Sequence, residues 1–160
     1  MDLILWRHAQ AERLSDGTST EADLQRALTS KGQRQAERMA AWLEQRLPET
    51  CRILVSPATR TQQTAKALGR PFQTLPALAP GASVNDVLEA ANWPNSRDAV
   101  LLVGHQPTLG QLAALLLSGQ VQDWAFRKGG VWWIRTRESE SADFPAREVL
   151  LQAVQSADFL

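Results

Sequence analysis

Three short apolar runs constrain this chain most: residues 3–6 (LILW), 52–55 (RILV) and 100–103 (VLLV). Each is too short for a helix of normal length and too uniformly apolar to alternate, which predicts strands buried on both faces. Between them the spacing turns helical. Ala36, Met39, Ala40, Leu43 and Leu47 share one helical face, Ser30 with Gln33 fits a capping box, and Pro48 ends the pattern. Ser56-Pro57 reads as a helix start with serine as cap, and that helix runs to Leu68, before Gly69 and Pro71. A short extended piece at 72–75, a loop at 76–81 and a short helix at 84–91 follow. Pro107 opens a last apolar helix through Leu117. Residues 9–29 are polar and read as a loop with a short turn of helix.

After Gly119 the pattern changes. Gly129-Gly130 leads into a strand at 131–135, a polar turn spans 138–143, and a last strand covers 147–154. Strand and helix in alternation predict an α/β protein. The expected architecture is a three-layer α/β/α sandwich, with a mainly parallel central sheet, helices on both faces and an antiparallel C-terminal edge hairpin. At 160 residues the chain reads as one domain over 1–160.

Composition narrows the function classes. Seventeen basic residues balance seventeen acidic ones, so the basic excess of a nucleic-acid binder is missing and no nucleic acid is expected as partner. The apolar run around 112–117 is far below the ~20 residues a membrane span needs, and residues 1–7 do not have the basic start and long apolar stretch of a signal peptide. The expectation is no membrane partner and a cytoplasmic location. The single cysteine, Cys51, permits no intramolecular disulfide and reads as a half-buried core thiol.

In open α/β sheets, ligands bind beyond the carboxyl ends of the strands. The first strand ends in Arg7-His8, the second in Ser56-Pro57 with Arg60 one turn on, the third in Gly104-His105. The chain has two histidines, and both follow an apolar strand. If these strands are parallel neighbours, two imidazoles and at least two guanidiniums share one crevice. Guanidiniums match phosphate oxygens, helix N-termini add partial positive charge, and a neutral imidazole can take a phosphoryl group covalently. That combination points to phosphoryl transfer through a phosphohistidine. Zinc fits poorly: two histidines without cysteine are a thin ligand set, and adjacent arginines repel a dication. No metal and no cofactor are expected. Singly, each residue has an ordinary reading: His8 or His105 as a polar strand end, Arg60 as a solvated helix residue, Ser56 as a helix cap.

The same residues resemble the histidine phosphatase superfamily, also called phosphoglycerate mutase-like. Its opening Arg-His-Gly stands here as Arg7-His8-Ala9. Its Ser-Pro-x-x-Arg-x-x-x-Thr runs from Ser56 to Thr64, its late Gly-His is Gly104-His105, and its Arg-x-Leu-Thr-x-x-Gly runs from Arg26 to Gly32. Two departures resemble the branch of SixA-type phosphohistidine phosphatases. Ala9 replaces glycine, and Leu78-Ala79-Pro80 stands where larger members place a glutamate proton donor. The chain also has no long insertion to form a lid.

The resemblance implies the roles. His8 is the nucleophile; Arg7, Arg26 and Arg60 hold the phosphoryl oxygens; His105, protonated in the complex, stabilises the transferring group; the Gln106 N–H adds a donor. Arg26 lies in a loop and reads equally as a solvated residue. The implied substrate is a phosphohistidine-bearing protein, either a phosphotransfer domain or a phosphocarrier, with inorganic phosphate as product. The missing glutamate suits this substrate: an alkoxide leaving group needs a general acid, whereas imidazole leaves near its own pKa of ~6.5. Asp86 or Glu89 remains a candidate proton donor from the next segment. Two alternatives stay open, a small-molecule phosphomonoesterase and a non-catalytic phosphate-binding module. Trp6, Trp132 and Trp133 read as core or sheet-face residues, Trp42 lies beside its helix's apolar stripe, and Trp93 or Trp124 could form a wall for a partner.

Overall fold

The structure, a computed structural model, describes residues 1–138 and 147–160. Its strands are β1 (Asp2–Arg7), β2 (Arg52–Val55), β3 (Gln73–Thr74), β4 (Val100–Gly104), β5 (Val131–Glu138) and β6 (Arg147–Gln155). They form one sheet in the order β3-β2-β4-β1-β5-β6. β3, β2, β4 and β1 run parallel, and β5 and β6 add an antiparallel pair on the β1 side. The helices are α1 (Thr20–Leu24), α2 (Ser30–Glu44), α3 (Thr59–Lys66), α4 (Val84–Ala91) and α5 (Thr108–Ser118).

Successive strand residues face opposite sides of a sheet, and the buried strands supply apolar residues to both. Ile4, Trp6, Ile53, Val55, Leu101 and Val103 pack with Met39, Ala40 and Leu43 of α2 and Ala65 of α3. Leu3, Leu5, Leu54, Val100 and Leu102 pack with Val84, Val87 and Ala91 of α4 and Leu109, Leu112 and Ala113 of α5. This is the three-layer α/β/α architecture read from the sequence, with the antiparallel pair at the expected edge. Of the tryptophans, Trp6 is fully buried, and Trp42, Trp93 and Trp124 are half-buried against the two cores.

Several local expectations shift. α2 is capped one residue earlier than read: Thr29, not Ser30, accepts the Gly32 N–H at 3.0 Å. α3 starts at Thr59 with Ala58 as its uncapped N-cap, so Ser56 is not the helix cap. Ser56 lies three residues before the helix begins, where its hydroxyl meets a side chain just past the end of β4 and accepts the Ala58 N–H. α3 also stops at Lys66 rather than Leu68. β5 continues to Glu138; the rest of the polar turn read at 138–143 lies outside the described residues. Among the described residues, no helix is long and apolar enough to cross a membrane.

Candidate active site

Strand order makes the site. β1 and β2 both pair with β4 in parallel register, Arg7 opposite Gly104 and Val55 opposite Val103. The ladder continues one residue further on each side: His8 N–H donates to the Gly104 carbonyl and Ser56 N–H to the Val103 carbonyl, both at 3.1 Å. His8, His105 and Ser56 therefore leave three adjacent strand ends together, and the two imidazole centroids lie 5.3 Å apart.

His8 is 6% exposed. Its Nδ1 lies 2.8 Å from the Ala9 carbonyl oxygen. A carbonyl only accepts, so Nδ1 carries the proton and Nε2 keeps its lone pair. Burial, with His105, Arg60 and Arg7 adding to it, pushes the His8 pKa down to about 3. A neutral imidazole at physiological pH is the form a nucleophile needs.

His105 is 4% exposed. Its Nε2 meets Ser56 Oγ at 2.7 Å. The serine oxygen also accepts the Ala58 N–H at 3.3 Å and still has one proton to give and one lone pair to accept, so either tautomer of His105 fits it. His105 Nδ1 is buried and has no protein partner. Burial, then Arg60, push this imidazole to about 3 as well, against the opposing pull of Asp23. His105 is thus neutral as it stands. Its expected protonated form requires the negative charge of a bound phosphoryl group.

The guanidiniums flank the pair. Arg7, half-buried, gives one terminal nitrogen to the Phe126 carbonyl; its buried Nε is unpaired. Arg60, 3% exposed, gives Nη1 to the Asp23 carbonyl at 2.7 Å and Nη2 to Asp23 Oδ2 at 3.1 Å; its Nε is also unpaired. Burial lowers the pKa of both, though an arginine stays charged regardless. Arg26 joins them through the same acid, with Nε and Nη2 on Asp23 Oδ1 at 3.1 and 3.0 Å and Nη1 on the Glu12 carbonyl at 3.0 Å. The loop arginine is therefore held beside Arg60 rather than loose in solvent.

Helices latch the chain that follows His8. Ala9 N–H donates to Thr64 Oγ1 at 3.1 Å, which gives the threonine of the second motif its job. Gln10 N–H donates to Gln35 Oε1 at 3.0 Å, and Leu28 N–H to Gln63 Oε1 at 2.7 Å. Gly32 packs so closely that a Cβ there would sit 1.9 Å from the Gln10 carbonyl oxygen. From the other side, Gly129 at φ +69° donates its N–H to the Arg7 and His8 carbonyls at 3.1 and 3.0 Å. That turn places Lys128 at the rim, where partial desolvation and the charges of Arg7, Arg26 and Arg13 hold its pKa below normal.

Sequence reasoning missed Asp23, Lys128 and the partner of Ser56. Asp23 and Ser56 act through Arg60 and His105, 37 and 49 positions away, and Lys128 through the nearby charges of Arg7, Arg26 and Arg13; the i,i+3 spacing of Asp23 and Arg26 was the one local signal. The proton-donor candidates fare badly. Asp86 caps its own helix, taking Ser83 Oγ–H at 2.7 Å and Ser83 N–H at 3.2 Å, and these bonds lower its pKa, the wrong direction for an acid. Glu89 points to solvent from α4. The small cavity beside His105 is lined by Leu78, Ala79, Ala82 and Thr108 among others, with no carboxylate. Gln106 spends its side chain on the Gly110 N–H and the Trp124 carbonyl, at 2.7 and 2.8 Å. Cys51 is half-buried, and burial pushes its thiol to about 11, consistent with an inert core thiol. Among the described residues no group of three or more His, Cys, Asp or Glu is placed to hold a metal ion.

Comparison with known proteins gives the family. The family model of the histidine phosphatase superfamily (branch 1) matches residues 3–81. An uncharacterised protein of Picosynechococcus is 34% identical over 144 residues, covering 85% of this chain and 86% of that one. The phosphohistidine phosphatase SixA of Escherichia coli is 31% identical over 129 residues, covering 75% and 76%. A solved structure of the protein histidine phosphatase SixA complexed with tungstate superposes with a TM-score of 0.76 at 26% identity, covering 99% of each chain. The chain belongs to the histidine phosphatase superfamily and is a phosphatase. Within that superfamily it is SixA-like in both sequence and fold.

Proposed function

We propose that this phosphatase removes the phosphoryl group from phosphohistidine on a partner protein, through a covalent phosphohistidine at His8. The observation that carries the proposal is the state of His8: Nδ1 is tied to a backbone carbonyl, and the ring is neutral among buried cations. Only Nε2 is free to attack. Its neighbours hold three unpaired buried nitrogens, the donors Arg7 Nε and Arg60 Nε, and His105 Nδ1, which donates once the ring is protonated. Buried donors normally find acceptors, and phosphoryl oxygens would supply them.

The step balances without a strong acid. His8 Nε2 forms a bond to phosphorus as the substrate P–N bond breaks. The departing imidazole leaves neutral when its other nitrogen already carries a proton. Arg7, Arg26 and Arg60 hold the oxygens and reduce the repulsion between phosphate and nucleophile. His105, protonated under the phosphoryl charge, stabilises the transferring group. Water then attacks phosphorus, the P–Nε2 bond breaks, and inorganic phosphate is released. An ester would expel an alkoxide, and Asp86, bonded to Ser83 and lowered in pKa, is poorly suited to give the proton it needs.

The test is a phosphoryl trap. The protein is mixed with a labelled phosphohistidine protein and quenched in alkali, with His8→Ala as control and a sugar phosphate as competing substrate. The expected result is label on His8 and phosphate release from the phosphohistidine protein well above that from the ester. Faster ester turnover would overturn the substrate class. Release without label on His8 would overturn the nucleophile. Phosphate binding without turnover of either would leave only a binding module.

A further inference from the structure

The acid between the two arginines has no role so far. Asp23 lies in a five-residue helix, α1, yet touches a residue 37 positions away. Its carbonyl and Oδ2 take the two terminal nitrogens of Arg60. Its Oδ1 takes Nε and Nη2 of Arg26. One carboxylate thus accepts from both guanidiniums. Burial opposes its charge, but Arg60 and Arg26 overcome this and keep it ionised. Arg60 has no other ion pair among the described residues.

We propose that Asp23 is a positioning residue that sets the guanidiniums of Arg26 and Arg60 for the phosphoryl oxygens. This rests on the reading of those arginines as phosphoryl-binding groups. The physical argument has two parts with opposite signs. By charge alone, an acid beside an anion site weakens it, so removing Asp23 should tighten oxyanion binding. By geometry, Asp23 fixes two long side chains whose freedom is otherwise lost on binding, so removing it should weaken binding. An arginine offers five N–H donors. Asp23 takes two from Arg60, leaving Nε–H and one hydrogen on each terminal nitrogen aimed by a fixed plane. The contacts come in both pairs from one rigid acceptor, so we expect geometry to win.

The experiment measures orthovanadate affinity by calorimetry and phosphohistidine-peptide turnover, for wild type, D23A, D23N, R26A, R60A and the double variant D23A/R26A. Positioning predicts that D23A weakens vanadate binding about tenfold, with D23N between it and wild type. It also predicts that D23A costs less in the R26A background than in wild type, because the effect travels partly through Arg26. A purely structural role would leave the two costs equal. Thermal melting monitors folding, and D23N, which keeps an acceptor and nearly the same volume, carries the test if D23A unfolds. Equal or tighter vanadate binding in both D23A and D23N, while R60A loses it, overturns the role of Asp23 alone. Failure of the wild type itself to bind vanadate overturns the phosphoryl site and this role with it.

Discussion

The parallel and antiparallel halves of the sheet differ in how they are covered. β1, β2 and β4 are almost wholly buried, with β4 buried along its full length, whereas β6 is mostly exposed and shows Leu150, Leu151 and Val154 to solvent. Parallel neighbours point their carboxyl ends the same way, so Arg7-His8, Ser56 and His105 emerge on one edge. The antiparallel pair contributes differently. β5 closes the free side of β1, and the turn leading into it binds the backbone of Arg7 and His8. The buried half carries the proposed reacting groups, and the turn before the hairpin bonds their backbone.

If this division is right, acid should damage the first half first. Both imidazoles are held neutral at about 3, below the ordinary value of 6.5. The unfolded chain therefore binds protons that the native chain refuses, and stability falls as pH drops from 6.5 towards 3. The loss expected by pH 4 is on the order of 3 kcal/mol per imidazole. Urea melts from pH 7 to 4 would show it, and His8→Gln should remove part of the slope. A flat profile would mean the histidines titrate normally.

Core packing gives a comparable contrast. Leu102→Ala, in fully buried β4, should cost roughly 2–5 kcal/mol in chemical denaturation. Leu151→Ala, on the exposed face of β6, should cost under about 1 kcal/mol and leave turnover unchanged. Similar costs at both sites would erase the distinction. Small in stability, yet visible in turnover, is Gly129→Ala. Its φ of +69° disfavours a Cβ, and the new atom would stand 3.4 Å from Ala157 and Gln35 carbons. A cost of about 1 kcal/mol is expected. Because Gly129 holds the Arg7 and His8 carbonyls, kcat should fall further than in Leu151→Ala. A normal kcat would show that the turn does not position the nucleophile.

Much of this was legible in the chain itself. The buried strands announced themselves as apolar runs, and Arg7, His8, Arg60 and His105 stood at or just after their ends. Helix positions followed from apolar spacing, prolines and glycines, with the caps of α2 and α3 misplaced by one and two residues. Both errors trace to contacts made outside the helix: Ser56, read as the α3 cap, meets His105 instead. Thr29 and Ser30 are both capable caps, and only the approach of Gly32 to Gln10 selects between them.

What the sequence alone determined was the kind and order of elements and the chemistry at their ends, because periodicity and turn residues act within a few positions along the chain. Tertiary structure decided the rest. It put β1 beside β4 and β4 beside β2, turned Ser56 from helix cap to partner of His105, and set Asp23 between Arg26 and Arg60. Apart from Asp23 with Arg26, three positions apart, these contacts join residues at least 37 positions apart, and no local propensity encodes them. They exist because one strand order buries two apolar faces at once and brings the polar strand ends together on the same edge.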